Sequence, residues 1–224
     1  DKHRATIAEG AAKKGYDPEL AKQLFDLMTK FAEYGFNKSH TAAYAVVTYH
    51  TAWLKAHHCA AFMAATMSSD MDNTDSVKIF YEDTIANKVK VLGPDINASN
   101  YRFEPVDRET IRYGLGAVKG TGEQAVNVIL KAREADGPFK DLFDFCRRCD
   151  KRMVNRRTIE ALIKAGAFDS VDADRHKLLA STGIAMDFAE QAERNAMQTS
   201  LFDIGTNAEE HAPQYVAVKP WDEK

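Results

Sequence analysis

The chain has 224 residues, 45% of them apolar, with 30 basic and 33 acidic side chains. That supports a real core in one large or two small units. It contains no apolar run of about 18 residues and no charged-then-apolar leader, which excludes a membrane-spanning helix and a secretory segment from the expectations.

The net charge of −3 hides a gradient. Residues 1–92 carry 11 basic and 11 acidic groups, residues 93–170 carry 14 and 12, and residues 171–224 carry 5 and 10. Positive potential therefore concentrates in the middle. Its densest stretch is "RRCDKRMVNRR", Arg147 to Arg157, with Asp150 as its single acid. A DNA-facing surface is expected there.

The first half reads as helices. In "YDPELAKQLFDLMTKFAEYG", Asp17 caps, Pro18 takes the first helical position and Gly35 stops the helix. Leu20, Leu24, Leu27, Met28 and Phe31 fall on one face. Asn37 or Ser39 caps the next helix, on which Tyr44, Tyr49 and Trp53 recur at roughly helical spacing and are expected in the core. "CAAFMAATM" and "TDSVKIFYEDTIANK" predict two more helices. At "KVKVLGPDINASNYRFEP" the pattern changes to short alternation and turn chemistry. "YRFEP" and "TIRYG" read as short strands around "VDRE". Helices resume over 123–134, 141–149, 155–165 and 174–196. From Asn207 the chain is acidic and aperiodic, as in a linker.

"YGLGAVKGTGEQAVNVILKARE" sets Gly114, Gly116, Gly120 and Gly122 just ahead of a helix. A Walker-type loop fails, because Lys119 precedes Gly120 instead of following the second glycine. A dinucleotide fingerprint needs a buried strand running into the first glycine and another after the helix; neither is predicted. A helix–hairpin–helix fits: a short helix ends at Lys119, Gly120 and Gly122 make the hairpin, and a helix starts at Glu123. Hairpin amides and the positive helix end then face one phosphate, with Lys119 and Lys131 nearby. Such a contact reads backbone and not bases. "NRRTIEALIKAGAFDSV" is a degenerate second copy around Gly166. It suits packing against the first, with Arg156, Arg157 and Lys164 available to phosphate.

Cys146 and Cys149 have zinc spacing, but they sit on a helix that must pack inward, and no second pair accompanies them. An odd count, with Cys59, fits a reducing compartment. "DMD" (Asp70, Met71, Asp72) comes closest to paired catalytic carboxylates, yet lies between helices.

"KFAEYGFNKSHTAAYAVVTYHTAWLKAH", "MDNTDSVK", "VLGPDIN", "IRYGLGAVKGTGE" and "VNRRTIEALIKAGAFD" together resemble the bacterial replicative DNA polymerases of the C family, the DNA polymerase III alpha subunits. The resemblance covers nearly the whole chain, in order. It implies a mainly α fold, with a helical fingers portion joined through a short β segment to a tandem helix–hairpin–helix domain. It divides the chain into the end of the fingers (1–92), the duplex-binding tandem module (93–172), a helix with a clamp-binding motif (173–206) and a linker (207–224).

The family synthesises DNA from dNTPs as a DNA-directed DNA polymerase. Its metal-binding acids lie upstream of the matching region. No catalytic residue, metal ligand or cofactor is therefore expected here, and Mg2+ belongs to the missing palm. The expected DNA contacts are Lys119, Gly120, Thr121, Gly122, Lys131, Arg152, Arg156, Arg157 and Lys164. Lys38 and His40 are candidates for nucleotide or template. In "AMQTSLFDIG", Gln198, Ser200, Leu201 and Phe202 resemble ligands of the sliding clamp, the β subunit. Implied partners are duplex DNA, the clamp and other replicase subunits in the cytoplasm, with no membrane. Two alternatives stay open. A helix–hairpin–helix repair glycosylase would need Asp136, Asp141 or Asp144 over a flipped base. A clamp-binding scaffold would not bind DNA.

Overall fold

Capping chemistry fixes several helix starts. The side-chain oxygen of Asn73 accepts from the amides of Asp75 and Ser76, Asp141 accepts from Asp144, and Asn155 accepts from Thr158. The computed structural model describes residues 2–33, 38–197 and 214–219. It divides into two compact units, 1–53 and 54–224. Among the described residues no helix is long and apolar enough to cross a membrane.

In the first unit, α1 (Lys2–Lys13) and α2 (Pro18–Glu33) pack together around Ala8. Arg4 donates to Asp26 at 2.6 Å. The apolar face predicted for α2 is present but uncovered: Leu27, Met28 and Phe31 are 67%, 66% and 64% exposed. Gly35 and Asn37 lie outside the described residues. On α3 (Lys38–His57), Ser39 is inside the helix. Tyr44, Tyr49 and Trp53, expected in the core, are exposed in this chain. Helical spacing shows which residues share a face; a partner surface decides whether that face is buried.

The second unit takes up the chain with the last turn of α3. It continues through α4 (Cys59–Ser69), α5 (Thr74–Ala86) and a small sheet. The strands are β1 (Lys90–Leu92), β2 (Glu104–Pro105) and β3 (Thr110–Arg112), in the order β1-β3-β2. β1 runs parallel to β3, and β2 pairs with it antiparallel. The predicted hairpin at "VDRE" closes with Val106 N–H donating to the Thr110 carbonyl. A 3-10 turn, Leu115–Ala117, leads to α6 (Glu123–Asp136), α7 (Leu142–Arg148), α8 (Arg156–Lys164) and α9 (Arg175–Met197).

Two cores result. Met63, Met67, Phe103 and Ile111 bury the sheet against α4 and α5. Leu115, Ile129, Phe145, Leu162 and Phe168 join the later helices, with Phe145 edge-on to both Phe139 and Phe168. Each such side chain, fully buried, contributes about 1.5–3 kcal/mol.

The turn "GPDINASN" locks the frame. Arg133 donates to the Ile96 and Ser99 carbonyls and to Asn100 Oδ1. Asn97 exchanges two hydrogen bonds with the Phe139 backbone, and Ile96 N–H reaches the Ala167 carbonyl.

Within the expected linker, residues 214–219 dock against the helices of the second unit. Tyr215 packs edge-on against Phe143, and its hydroxyl accepts from Leu142 N–H. Val216 N–H donates to Ser181, and the Lys219 carbonyl bonds His176 Nδ1. An aperiodic strap of this kind buries one aromatic and a few backbone bonds, which hydrophobic periodicity does not register.

Candidate nucleic-acid interface

Two features shape the first hairpin. Gly120 has φ +97°, a conformation that side chains resist. A Cβ on Gly122 would meet nothing within 4 Å, and its φ of −88° suits any residue. Of the two hairpin glycines, only Gly120 needs its positive φ. At Gly122 the absent side chain keeps the helix start open.

Thr121 uses its hydroxyl on the Leu115 and Val118 carbonyls, both at 2.6 Å, and its amide on Val118. By contrast, the amides of Lys119, Gly120 and Gly122 find no acceptor among the described residues. All three residues are exposed, and α6 begins at once with its own unpaired first-turn amides. Outward amides at a helix start form an anion cradle without any side chain.

The two earlier glycines have another purpose. A Cβ on Gly114 would lie 2.5 Å from the Arg102 carbonyl carbon, and one on Gly116 would lie 2.3 Å from Tyr101 Cε2. They let the 3-10 turn settle on residues 100–102, where Leu115 and Gly116 amides donate to Asn100 and Tyr101.

The second hairpin is closed. Gly166 has φ +84°, but its amide donates to Ile163 and that of Ala167 to Leu162. Asp169 and Arg175 pair directly over the turn, where a Cβ on Gly166 would meet them. This copy supports the first. The Thr158 hydroxyl donates to the Gly120 carbonyl at 3.4 Å, and a Cβ on Gly120 would touch Ala161.

The basic run is less available than its composition suggests. Arg148 points inward: it donates to the Ala132 and Gly137 carbonyls and to Asp144, and its guanidinium lies 4.4 Å from the Phe139 centroid. Arg147 also meets Asp144, Lys151 meets Glu190, Arg152 grips Asp150 and Arg156 meets Glu160. The hydrogen bonds from Arg152 hold the Asp150 carboxyl down to about 2. Burial pushes Asp144 up, yet hydrogen bonds from Lys140 N–H, Arg148 and Arg147 outweigh it, and the net shift is downward. Exposed pairs such as Arg152–Asp150 are weak and open readily to a phosphate. The inward Arg148 does not. Lys119, Lys131, Arg157 and Lys164 are exposed and have no ion-pair partner among the described residues.

The glycosylase candidates are committed elsewhere. Asp141 caps α7, Asp144 takes two arginines, and Asp136 lies 3.7 Å from Arg148. Burial pushes the Cys146 and Cys149 thiols up to about 12, so both stay protonated in the core. In the first unit, the His40 ring lies tilted against Tyr44 with 4.3 Å between ring centroids. Nothing is described for the Lys38 side chain, and Gln198, Ser200, Leu201 and Phe202 lie outside the described residues.

Residues 88–178, which hold both hairpins, match the helix-hairpin-helix motif family. Along its length the chain is related to DNA polymerase III subunit alpha. It is 56% identical over 92% of its length to that of Neisseria meningitidis serogroup B, which it covers to 18%. It is 49% and 46% identical over its entire length to those of Vibrio cholerae and Escherichia coli K12, covering 20% of each. The chain thus spans about a fifth of the length of the curated relatives it matches.

Proposed function

We propose that this chain is the duplex-gripping portion of a bacterial replicative DNA polymerase, working in the cytoplasm. The first hairpin binds one backbone phosphate through the amides of Lys119, Gly120 and Gly122 and the start of α6. Lys131, Arg156, Arg157 and Lys164 supply charge, and Arg152 joins them by releasing Asp150. The carrying observation is the set of exposed amides without an internal acceptor at Lys119, Gly120 and Gly122. Contact through amides is indifferent to sequence, as a replicase requires.

The DNA-directed polymerase activity belongs to the longer protein, whose Mg2+-binding palm is not in this segment. Lys38 and His40 serve nucleotide or template there. Gln198, Ser200, Leu201 and Phe202 bind the sliding clamp, and the longer protein meets the other replicase subunits. Duplex grip and clamp tether act on the same DNA, so each makes the other effectively intramolecular.

Fluorescence anisotropy with duplex and single-stranded DNA across salt tests the grip. Duplex preference, weakening with salt, is expected. Gly122→Val, at an open N-cap position with ordinary φ, should lower the melting temperature only by the loss of a weak cap and reduce affinity about tenfold or more, by holding the phosphate away. Full affinity in that variant would refute the amide contact.

A further inference from the structure

A second cationic surface lies outside the run that composition singles out. The register pairs Lys90 with Thr110, Leu92 with Arg112 and Arg112 with Glu104. Paired residues share a sheet face, and successive residues alternate. One face therefore holds Val91, Ile111 and Pro105. Phe103 and Tyr113 extend it, their rings 4.6 Å apart, and together with Ile111 they pack into the core against α4 and α5, while Pro105 is exposed. The other face carries Lys90, Leu92, Thr110, Arg112 and Glu104. Arg102, exposed and one residue before the core-facing Phe103, flanks this face in a bend just outside β2, where a Cβ on Gly114 would strike its backbone.

Lys90, Arg102 and Arg112 have no ion-pair partner among the described residues, unlike five of the six between Arg147 and Arg157. Lys90 and Arg102 are exposed, and Arg112 is half-buried. Glu104 is the only acid in the three strands, and its carboxylate takes the Asn100 amide at 2.8 Å. This face also adjoins the first hairpin. Arg102 and Gly114 touch, and the 3-10 turn carries the chain directly from there toward Gly120.

We infer that the outward face of the sheet, through Lys90 and Arg112 with Arg102 at its flank, is a second contact for the phosphate backbone of the same DNA duplex. It extends the track that begins at the hairpin. The inference rests on the hairpin reading for its ligand but uses different residues. A point charge and two guanidiniums on a nearly acid-free sheet suit phosphodiesters without reading bases.

The test compares the 224-residue chain with a triple variant, Lys90→Gln, Arg102→Gln and Arg112→Gln, and with Gly122→Val. Anisotropy is read on a 24-base-pair duplex from 50 mM to 400 mM salt. Three lost phosphate contacts should lower the slope of log K against log salt by about 2.7 and weaken binding roughly 100-fold at 0.1 M. A double variant, Lys90→Gln with Arg102→Gln, spares half-buried Arg112 and should lower the slope by about 1.8 even if the triple variant unfolds. Unchanged slopes in the sheet variants, with Gly122→Val impaired, would overturn the sheet contact and leave the hairpin standing. The reverse pattern would establish the sheet contact and refute the hairpin. No duplex binding by the parent chain would refute both, and capture of an acidic protein by this face would then explain the charge.

Discussion

Arg147 and Arg148 are neighbours in sequence and opposites in structure, which makes their comparison a sharp test of the fold. In Arg148→Met the hydrophobic stem survives, but the Ala132 and Gly137 carbonyls lose donors that stand at 2.6 Å, and Asp144 loses one of its two arginines. The Arg148 and Asp144 side chains are 9% and 10% exposed, so water replaces little of this. Each orphaned acceptor costs about 1–3 kcal/mol, and breaking a buried ion pair costs about 3–5 kcal/mol. The contributions overlap, because Arg147 and Lys140 N–H still serve Asp144, and removing Arg148 Nε, which makes no hydrogen bond and lies 3.7 Å from Asp136, returns part of the penalty. A net loss of about 3–5 kcal/mol is expected. Arg147→Met, at a side chain 61% exposed, should cost no more than about 1 kcal/mol. Cys146 and Cys149 provide the readout, since both are buried in the core that Arg148 supports. Their labelling by a thiol reagent under native conditions should accelerate roughly 150- to 5,000-fold in Arg148→Met. Labelling within threefold of the parent would refute the structural role of that guanidinium.

Other expectations follow from single contacts. Above pH 9 the unfolded chain ionises thiols that the fold keeps neutral to about 12. Stability is thus fully retained below pH 9 and lost toward pH 12, at on the order of 1 kcal/mol per pH unit for each cysteine, measurable by urea denaturation. Cys146→Ala with Cys149→Ala should flatten that dependence. Gly116→Ala should destabilise by about 1–3 kcal/mol by pressing on the Tyr101 ring, and Tyr101→Ala in the same chain should recover most of it; additive losses in a double-mutant cycle would refute the clash. Tyr215→Ala should speed hydrogen exchange of the Val216 amide, which now donates to Ser181; unchanged exchange would show that the strap does not depend on its tyrosine.

The sequence carried the helical frame because its signals are local. Helices start beside Asp141 and Asn155, where the sequence placed them, and another starts at Glu123 behind the glycine pair. Long-range geometry was less legible. Nothing local distinguishes Arg148, folded over Phe139, from exposed Arg147 one residue earlier. Composition drew attention to a cationic run whose charges are mostly spoken for. The cations of the sheet are scattered over 23 positions and meet only through strand pairing. An alternation count over "RFEP" and "TIRYG" had the signal, but such short strands needed their register before Arg112 and the flanking Arg102 could be placed together.

The strap at Tyr215 ties two helices together. Tyr215 packs edge-on against Phe143 of α7, while Val216 and Lys219 bond Ser181 and His176 of α9. Local opening in this part of the fold therefore has to break the strap before α9 can leave α7.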